Sequence, residues 1–318
     1  MKPVSLLVAL TAWAGATGCS GQPALAGAGE PLVVHGATFI AGALPGSSPP
    51  DGGAASTPDV TAIMSANNAF HAGEADRTLS GDVSDDASSV AVAFSDLGTG
   101  YWLLVPGPPD ANSPGTLTWS MTFDIGADVP PGLHTLRFAA LDPAGASGTQ
   151  SDLPVCIDTP FADNFNACIP SRAPPAAVLS LSWDTAVDLD LEVVTPSGVL
   201  VGPHHPTTSA STDGGVGPDD GVLDRDSGAN CAPDHLRRED LVWKQAPAPG
   251  QYLAYANLFS ACGQAAVRFT LSLLVAEPVD GGQALQQELV TSGELTAVEA
   301  NGGAGMGLYL GAFSFPSP

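Results

Sequence analysis

The run Asp188-Leu189-Asp190-Leu191-Glu192-Val193-Val194 alternates acids with aliphatic residues. In a strand, Leu189, Leu191 and Val193 face one side, and Asp188, Asp190 and Glu192 face the other at steps of about 6.5–7 Å. Carboxylates held that close repel one another unless a counter-ion lies between them. A hard cation such as Ca²⁺ resolves the conflict, because it takes roughly six to eight oxygens at about 2.3–2.6 Å from carboxylates, amides and carbonyls. A glycine-rich stretch downstream supplies more oxygens: Asp213, Asp219, Asp220, Asp224, Asp226 and Asn230. Glycines there allow the loop to wrap an ion at small steric cost. The chemistry expected is cation binding, and the plain alternative is a solvated acidic face.

Other reactive residues give weaker patterns. A nucleophilic triad needs Ser or Cys activated by His with an acid behind it. The chain has six histidines but no Gly-x-Ser-x-Gly elbow and no His-Glu-x-x-His. His204 and His205 fall in a polar loop, and His235 lies near Cys231. Two carboxylates for glycoside hydrolysis can be picked from any set of 33 acids, so the acids alone argue nothing. Tyr101-Trp102 reads as core, ahead of a sugar-stacking platform, because Leu103 to Val105 follow directly. Arg237-Arg238 reads as a surface island paired with neighbouring acids. No catalytic residue is expected, and a hydrolase is the alternative.

The elements that must position these groups are strands. Leu117, Trp119, Met121, Phe123 and Ile125 alternate with polar residues, and Val90, Val92 and Phe94 alternate with smaller ones. Leu32-Val33-Val34, Thr38-Phe39-Ile40 and Tyr101 to Val105 are further strand candidates. Gly (37) and Pro (29) punctuate short apolar runs, and only 6% of residues are aromatic, a composition that favours all-β sandwiches over helices. We divide the chain into a signal (1–18), a tether (19–30), a first sandwich (31–157), a linker (158–175) and a second sandwich (176–318). In the tail, Gln283 to Val290 reads as a short helix or strand. Glu294 to Glu299 and Met306 to Phe315 read as strands, paired as a hairpin across Asn301-Gly302-Gly303.

Charge and cysteines bear on the compartment. Thirty-three acids against nine bases give a net charge of −24. Such a surface repels nucleic acid, which is not expected as a partner. Lys2, an apolar run from Val4 to Ala16 and the small residues before Cys19 mark a secretory signal too short to span a bilayer. Four cysteines remain after Cys19, an even number that fits disulfides in an oxidising compartment. Three pairings are open. We favour Cys156–Cys168, which staples the start of the linker, and Cys231–Cys262, which lies within the second sandwich. The second closes a loop of about 30 residues, worth roughly 3–4 kcal/mol in the chain-entropy model. A four-cysteine zinc site is the rival, without a Cys-x-x-Cys pair to support it.

Three resemblances add to this. Ala16-Thr17-Gly18-Cys19-Ser20 resembles a bacterial lipobox. It implies cleavage before Cys19, lipidation of its sulfur, and anchoring in the cell envelope, at the outer membrane or cell surface. The segment "PPGLHTLRFAALDPAG" resembles a late strand and turn of immunoglobulin-like bacterial surface domains. The set "LSWDTAVDLDLEVVTPSG", "GVLDRDSGANC", "REDLVW" and "APGQYLAYANLFSACG" is similar to the Asp-rich β-sandwich domains of secreted bacterial proteins, in the style of pre-peptidase C-terminal domains. That likeness covers about 90 residues. It implies a jelly-roll-like sandwich with a calcium-type site and no catalytic activity of its own. By position it points to Asp188 and Asp190 as ligands, then Asp224 and Asp226, then Asn230 and Glu239. The resulting expectation is an exported, lipid-anchored, non-enzymatic protein. Its partners are the membrane, through the anchor, and a protein or glycan ligand. A secreted hydrolase or a spacer subunit of an envelope assembly is the alternative.

Overall fold

A computed structural model describes residues 26–46, 57–210, 215–234, 236–280 and 282–317. The signal segment and Cys19 lie outside the described residues, as do Asp213 and His235. Among the described residues there are nineteen strands and two one-turn 3-10 helices.

The first ten strands are β1 (Leu32–Val34), β2 (Thr38–Ala41), β3 (Val60–Met64), β4 (Ala69–His71), β5 (Arg77–Ser84), β6 (Ser89–Phe94), β7 (Gly100–Leu104), β8 (Thr116–Ile125), β9 (Gly132–Leu141) and β10 (Ser151–Asp158). They make two sheets, ordered β1-β8-β5-β3 and β2-β7-β6-β9-β10-β4. The β3-β5-β8 and β6-β9-β10 triplets reproduce immunoglobulin-like pairing, with β7 and β2 extending the second sheet as in variable-type domains. All pairs are antiparallel except β4 against β10.

Alternation drives this half. Trp119, Met121, Phe123 and Ile125 on β8 are all buried, and Trp119 packs on Phe138 of β9 with ring centroids 5.2 Å apart. Trp102 is buried as well, and its Nε1–H donates to the Leu32 carbonyl at 2.7 Å, so it is core and no sugar platform.

The second half contains β11 (Ala177–Trp183), β12 (Asp188–Val194), β13 (Leu200–Val201), β14 (Gly221–Leu223), β15 (Arg238–Trp243), β16 (Gly250–Ser260), β17 (Ala266–Val279), β18 (Gly282–Thr296) and β19 (Leu308–Phe315). Its sheets run β14-β15-β11-β17-β18 and β13-β12-β16-β19, all antiparallel. The chain passes repeatedly from one sheet to the other, giving a jelly-roll-like sandwich. Its core holds Leu179, Leu181, Leu189, Leu191, Trp243, Tyr252 and Leu271. Trp243 meets Tyr252 edge-on at 5.7 Å and Phe315 at 5.8 Å.

The tail departs from expectation. Gln283 to Val290 and Glu294 to Thr296 belong to one strand, β18, which pairs with β17 and not with β19. Strand β19 crosses to the other sheet and pairs with β16. The turn at Asn301-Gly302-Gly303 is therefore a crossover between sheets. The observed pairing packs Phe313 and Phe315 against Tyr252 of β16.

The two disulfides are Cys156–Cys168 and Cys231–Cys262. The first staples the end of β10 to the segment that follows. That segment is tied to the second sandwich as well. Ala162 N–H donates to Asp240 Oδ2 at 2.7 Å, and Arg238 Nη1 donates to the Thr159 carbonyl at 3.2 Å. Arg238 pairs with the neighbouring acid Asp240 at 3.2 Å, but it is buried and not on the surface as expected, whereas Arg237 is exposed.

Replacing Trp243 by Ala removes a fully buried ring from the second core. We expect a loss of about 3–5 kcal/mol in urea unfolding. A loss below about 1 kcal/mol would show that this core does not depend on the ring.

Candidate cation centre

Strand β12 is flanked by β16 along its length, but β13 covers only Val193 and Val194 on its other edge. The remaining half of that edge meets Glu239 and the loop 224–234. Glu239 has no exposure at all. Its Oε2 accepts Leu191 N–H at 2.7 Å, and its Oε1 accepts Ser227 N–H at 3.1 Å. A side chain thus takes the place of a missing strand, which satisfies a buried backbone donor.

Around this carboxylate the sequence-predicted acids converge. One oxygen each from Asp188, Asp190 and Asp226 lies within 4.8 Å of the other two. Asp188 is 3% exposed and Asp190 6%, whereas Asp226 is open to solvent. Asn230 contributes its backbone, donating N–H to Asp188 Oδ2 at 2.9 Å. Asp224 stands apart from the group: Oδ1 accepts Asp240 N–H, and Oδ2 bonds Arg225, each at 2.8 Å. Asp220 folds back onto its own loop, accepting Gly217 N–H at 2.7 Å.

Sequence reasoning missed Asn257. It lies on β16 directly opposite Asp190 and is 1% exposed. Its Nδ2 donates to Glu192 Oε1 at 3.0 Å, while its Oδ1 is buried without a hydrogen-bond partner among the described residues. Glu192 in turn accepts Gly307 N–H at 3.1 Å. Position 307 must be glycine, because a Cβ there would strike the Ala256 carbonyl. The available signal was an amide at an alternating position of "YLAYANLF", polar in a strand that is otherwise apolar.

Electrostatics follow from burial. Desolvation, then the charges of Asp188, Asp226 and Glu192, push Asp190 up to about 7. Burial raises Asp188 and raises Glu239 well above the usual carboxylate range, although two backbone N–H groups pull Glu239 the other way. Burial also raises Asp226, against the pull of nearby His204. Asp240, buried beside Arg238, is pushed up by desolvation to about 6. The donor set is all oxygen, which suits a hard cation more than zinc or copper.

No family model matches this chain, and no curated protein does. Among solved structures, the chain is similar to the fibronectin(III)-like modules of Clostridium thermocellum CbhA, at 12% identity and a TM-score of 0.18. The match covers 75% of this chain and 95% of that one. The strand order of the four sheets defines the two sandwiches.

A second grouping, His35, Asp76 and Asp124, sits on the surface of the first sandwich. His35 Nε2 lies 2.9 Å from Asp124 Oδ2, an exposed ion-pair geometry. His205 Nε2 lies 2.9 Å from the Ser209 carbonyl.

Titration of the buried acids sets the pH response without divalent cations. Asp190 titrates near 7 when folded, well above its unfolded range. The folded state therefore binds more protons in between, and stability falls as pH rises from about 4 through about 7. We expect the thermal midpoint in chelator to drop across that window. Asp190→Asn should flatten the drop and raise stability at neutral pH by on the order of 1–3 kcal/mol. A midpoint that rises steadily over the same window in the unsubstituted chain would refute this.

Proposed function

We propose that this chain is an exported, lipid-anchored, non-enzymatic protein of the cell envelope. Its second sandwich is stabilised by calcium held by Asp188, Asp190 and Asp226. The observation that carries this reading is the cluster of oxygens around Asp190, where Asp188 and Asp190 are buried and Asp226 is open to solvent. Three carboxylates converge there, and a fourth oxygen, Asn257 Oδ1, is buried opposite without a donor. Unpaired buried acceptors and adjacent buried carboxylates are each costly. A divalent cation offsets both costs. Glu239 orients Leu191 and Ser227 around the centre, and Asn230 fixes one oxygen of Asp188. The ion's part is to rigidify the loop 224–234 against β12. We assign the protein a binding or structural role, with the rigid loops presented to a protein or glycan ligand.

The similarity of its D-x-D strand and acidic loop to Asp-rich, pre-peptidase C-terminal-style domains supports this reading. So does the lipobox-like Ala16-Thr17-Gly18-Cys19, which supports lipidation at Cys19 and a position at the outer membrane or cell surface. Lipoproteins of that kind are held by more than one acyl chain, since one alone anchors weakly.

Thermal unfolding in calcium and in excess chelator tests the ion. At a hundredfold excess over its dissociation constant, a ligand specific to the folded state adds about 2.7 kcal/mol. We expect the midpoint to fall on chelation in the unsubstituted chain, and chelation to have no effect in Asp190→Ala. Asn257→Ala should weaken calcium binding by roughly tenfold, equivalent to losing about 1.4 kcal/mol. Identical midpoints with and without calcium would reduce the cluster to an acidic patch.

A further inference from the structure

The Cys231–Cys262 disulfide joins two segments that both terminate against Asp188. On one side, Asn230 N–H bonds Asp188 Oδ2 at 2.9 Å, and Cys231 is the next residue. On the other, Ser260 stands opposite Asp188 in the β12–β16 register, and its hydroxyl accepts Cys262 N–H at 3.3 Å. Asn230, Cys231 and Cys262 all lie at positive φ, at 54°, 61° and 49°. Residues with a Cβ take that conformation when their surroundings impose it. The same loop carries Asp226 and the Ser227 N–H that meets Glu239. The disulfide is therefore the covalent member of the frame that spaces Asp226 from Asp188. Its remaining ties are hydrogen bonds.

The bond is also reachable. Cys231 is exposed and borders a cavity of about 250 Å³ with Val187, Pro233 and Arg237. In the other disulfide, Cys168 is only 5% exposed. Among these four cysteines Cys231 is the exposed one, while Cys156 and Cys262 are half-buried, and exchange rates follow access.

We propose that the Cys231–Cys262 disulfide is a redox control on the cation centre, the oxidised chain binding calcium tightly and the reduced chain weakly. This rests on the cation reading above. In the reduction, a dithiol gives up two electrons and two protons and closes to its own disulfide. Cys231 and Cys262 become two thiols. The loop 226–234 is then free of β16, and the entropy of ordering it falls on cation binding. Linkage makes the effect reciprocal: bound calcium resists reduction by the factor that reduction costs calcium affinity.

Calcium chloride titrated calorimetrically into the full chain tests this, comparing the disulfide-intact protein with Cys231→Ser/Cys262→Ser, in which Cys156–Cys168 is retained. We expect Kd to rise on the order of tenfold in the double variant, within the usual range of such couplings. The unsubstituted chain gives a second readout that does not depend on the variant folding. The dithiothreitol equilibrium for Cys231, read by alkylation and peptide mapping, should shift toward the disulfide by the same factor in saturating calcium. Equal Kd values together with calcium-independent reduction would overturn the redox control and leave the cation centre standing. Failure of the disulfide-intact chain to bind calcium would overturn both.

Discussion

A carboxylate with no solvent exposure holds the second sandwich in its observed arrangement. Glu239 arises from β15 in one sheet and bonds the backbone of Leu191 on β12 in the other, while its second oxygen receives the loop at Ser227. A sandwich normally closes through apolar side chains, and this one does so through Leu189, Leu191, Leu241 and Trp243. At one edge, however, β13 is too short to cover β12, and a polar bridge replaces it. Burying that group without partners would be prohibitive. Its two N–H donors, and the acids gathered beside it, are consequences of placing it there.

Those acids turn a closure device into a centre. Asp190 is surrounded by Asp188, Asp226 and Glu192, and burial removes the water that would screen them. Many of the other acids are solvated or locally paired. Arg137 and Asp152 form a bidentate surface pair, and Asp142 accepts the N–H groups of its own turn. The overall charge of −24 thus includes a dispersed polar surface as well as this site, where like charges are forced together.

The segment between the sandwiches belongs to the same economy of polar contacts. Asp240 follows Glu239 on β15, and it receives Ala162 N–H while lying beside Arg238. One short strand, Arg238–Trp243, therefore supplies the closure of the second sandwich, the anchorage of the preceding segment and a fully buried core indole.

Much of the architecture was legible in the sequence, because strand periodicity is a local property. The alternation in Leu117 to Ile125 and in Asp188 to Val194 fixed which faces are apolar, and the expected domain organisation favoured the observed cysteine pairs among three possible pairings. The convergence of Asp188, Asp190 and Asp226 was partly legible, since two of them share one strand face. What the sequence could not decide was pairing between distant segments. The alternation of Met306 to Phe315 is the same whether β19 pairs with β18 or β16, and burial of Phe313 and Phe315 against Tyr252 chose β16. Asp224 and Asp226 are two residues apart and chemically identical, yet backbone and Arg225 contacts withdraw one and leave the other at the centre. Asn257 became a neighbour of Asp190 through strand register alone. Side-chain type and local period are written in the chain, whereas register and loop closure depend on long-range burial, which only the tertiary structure supplies.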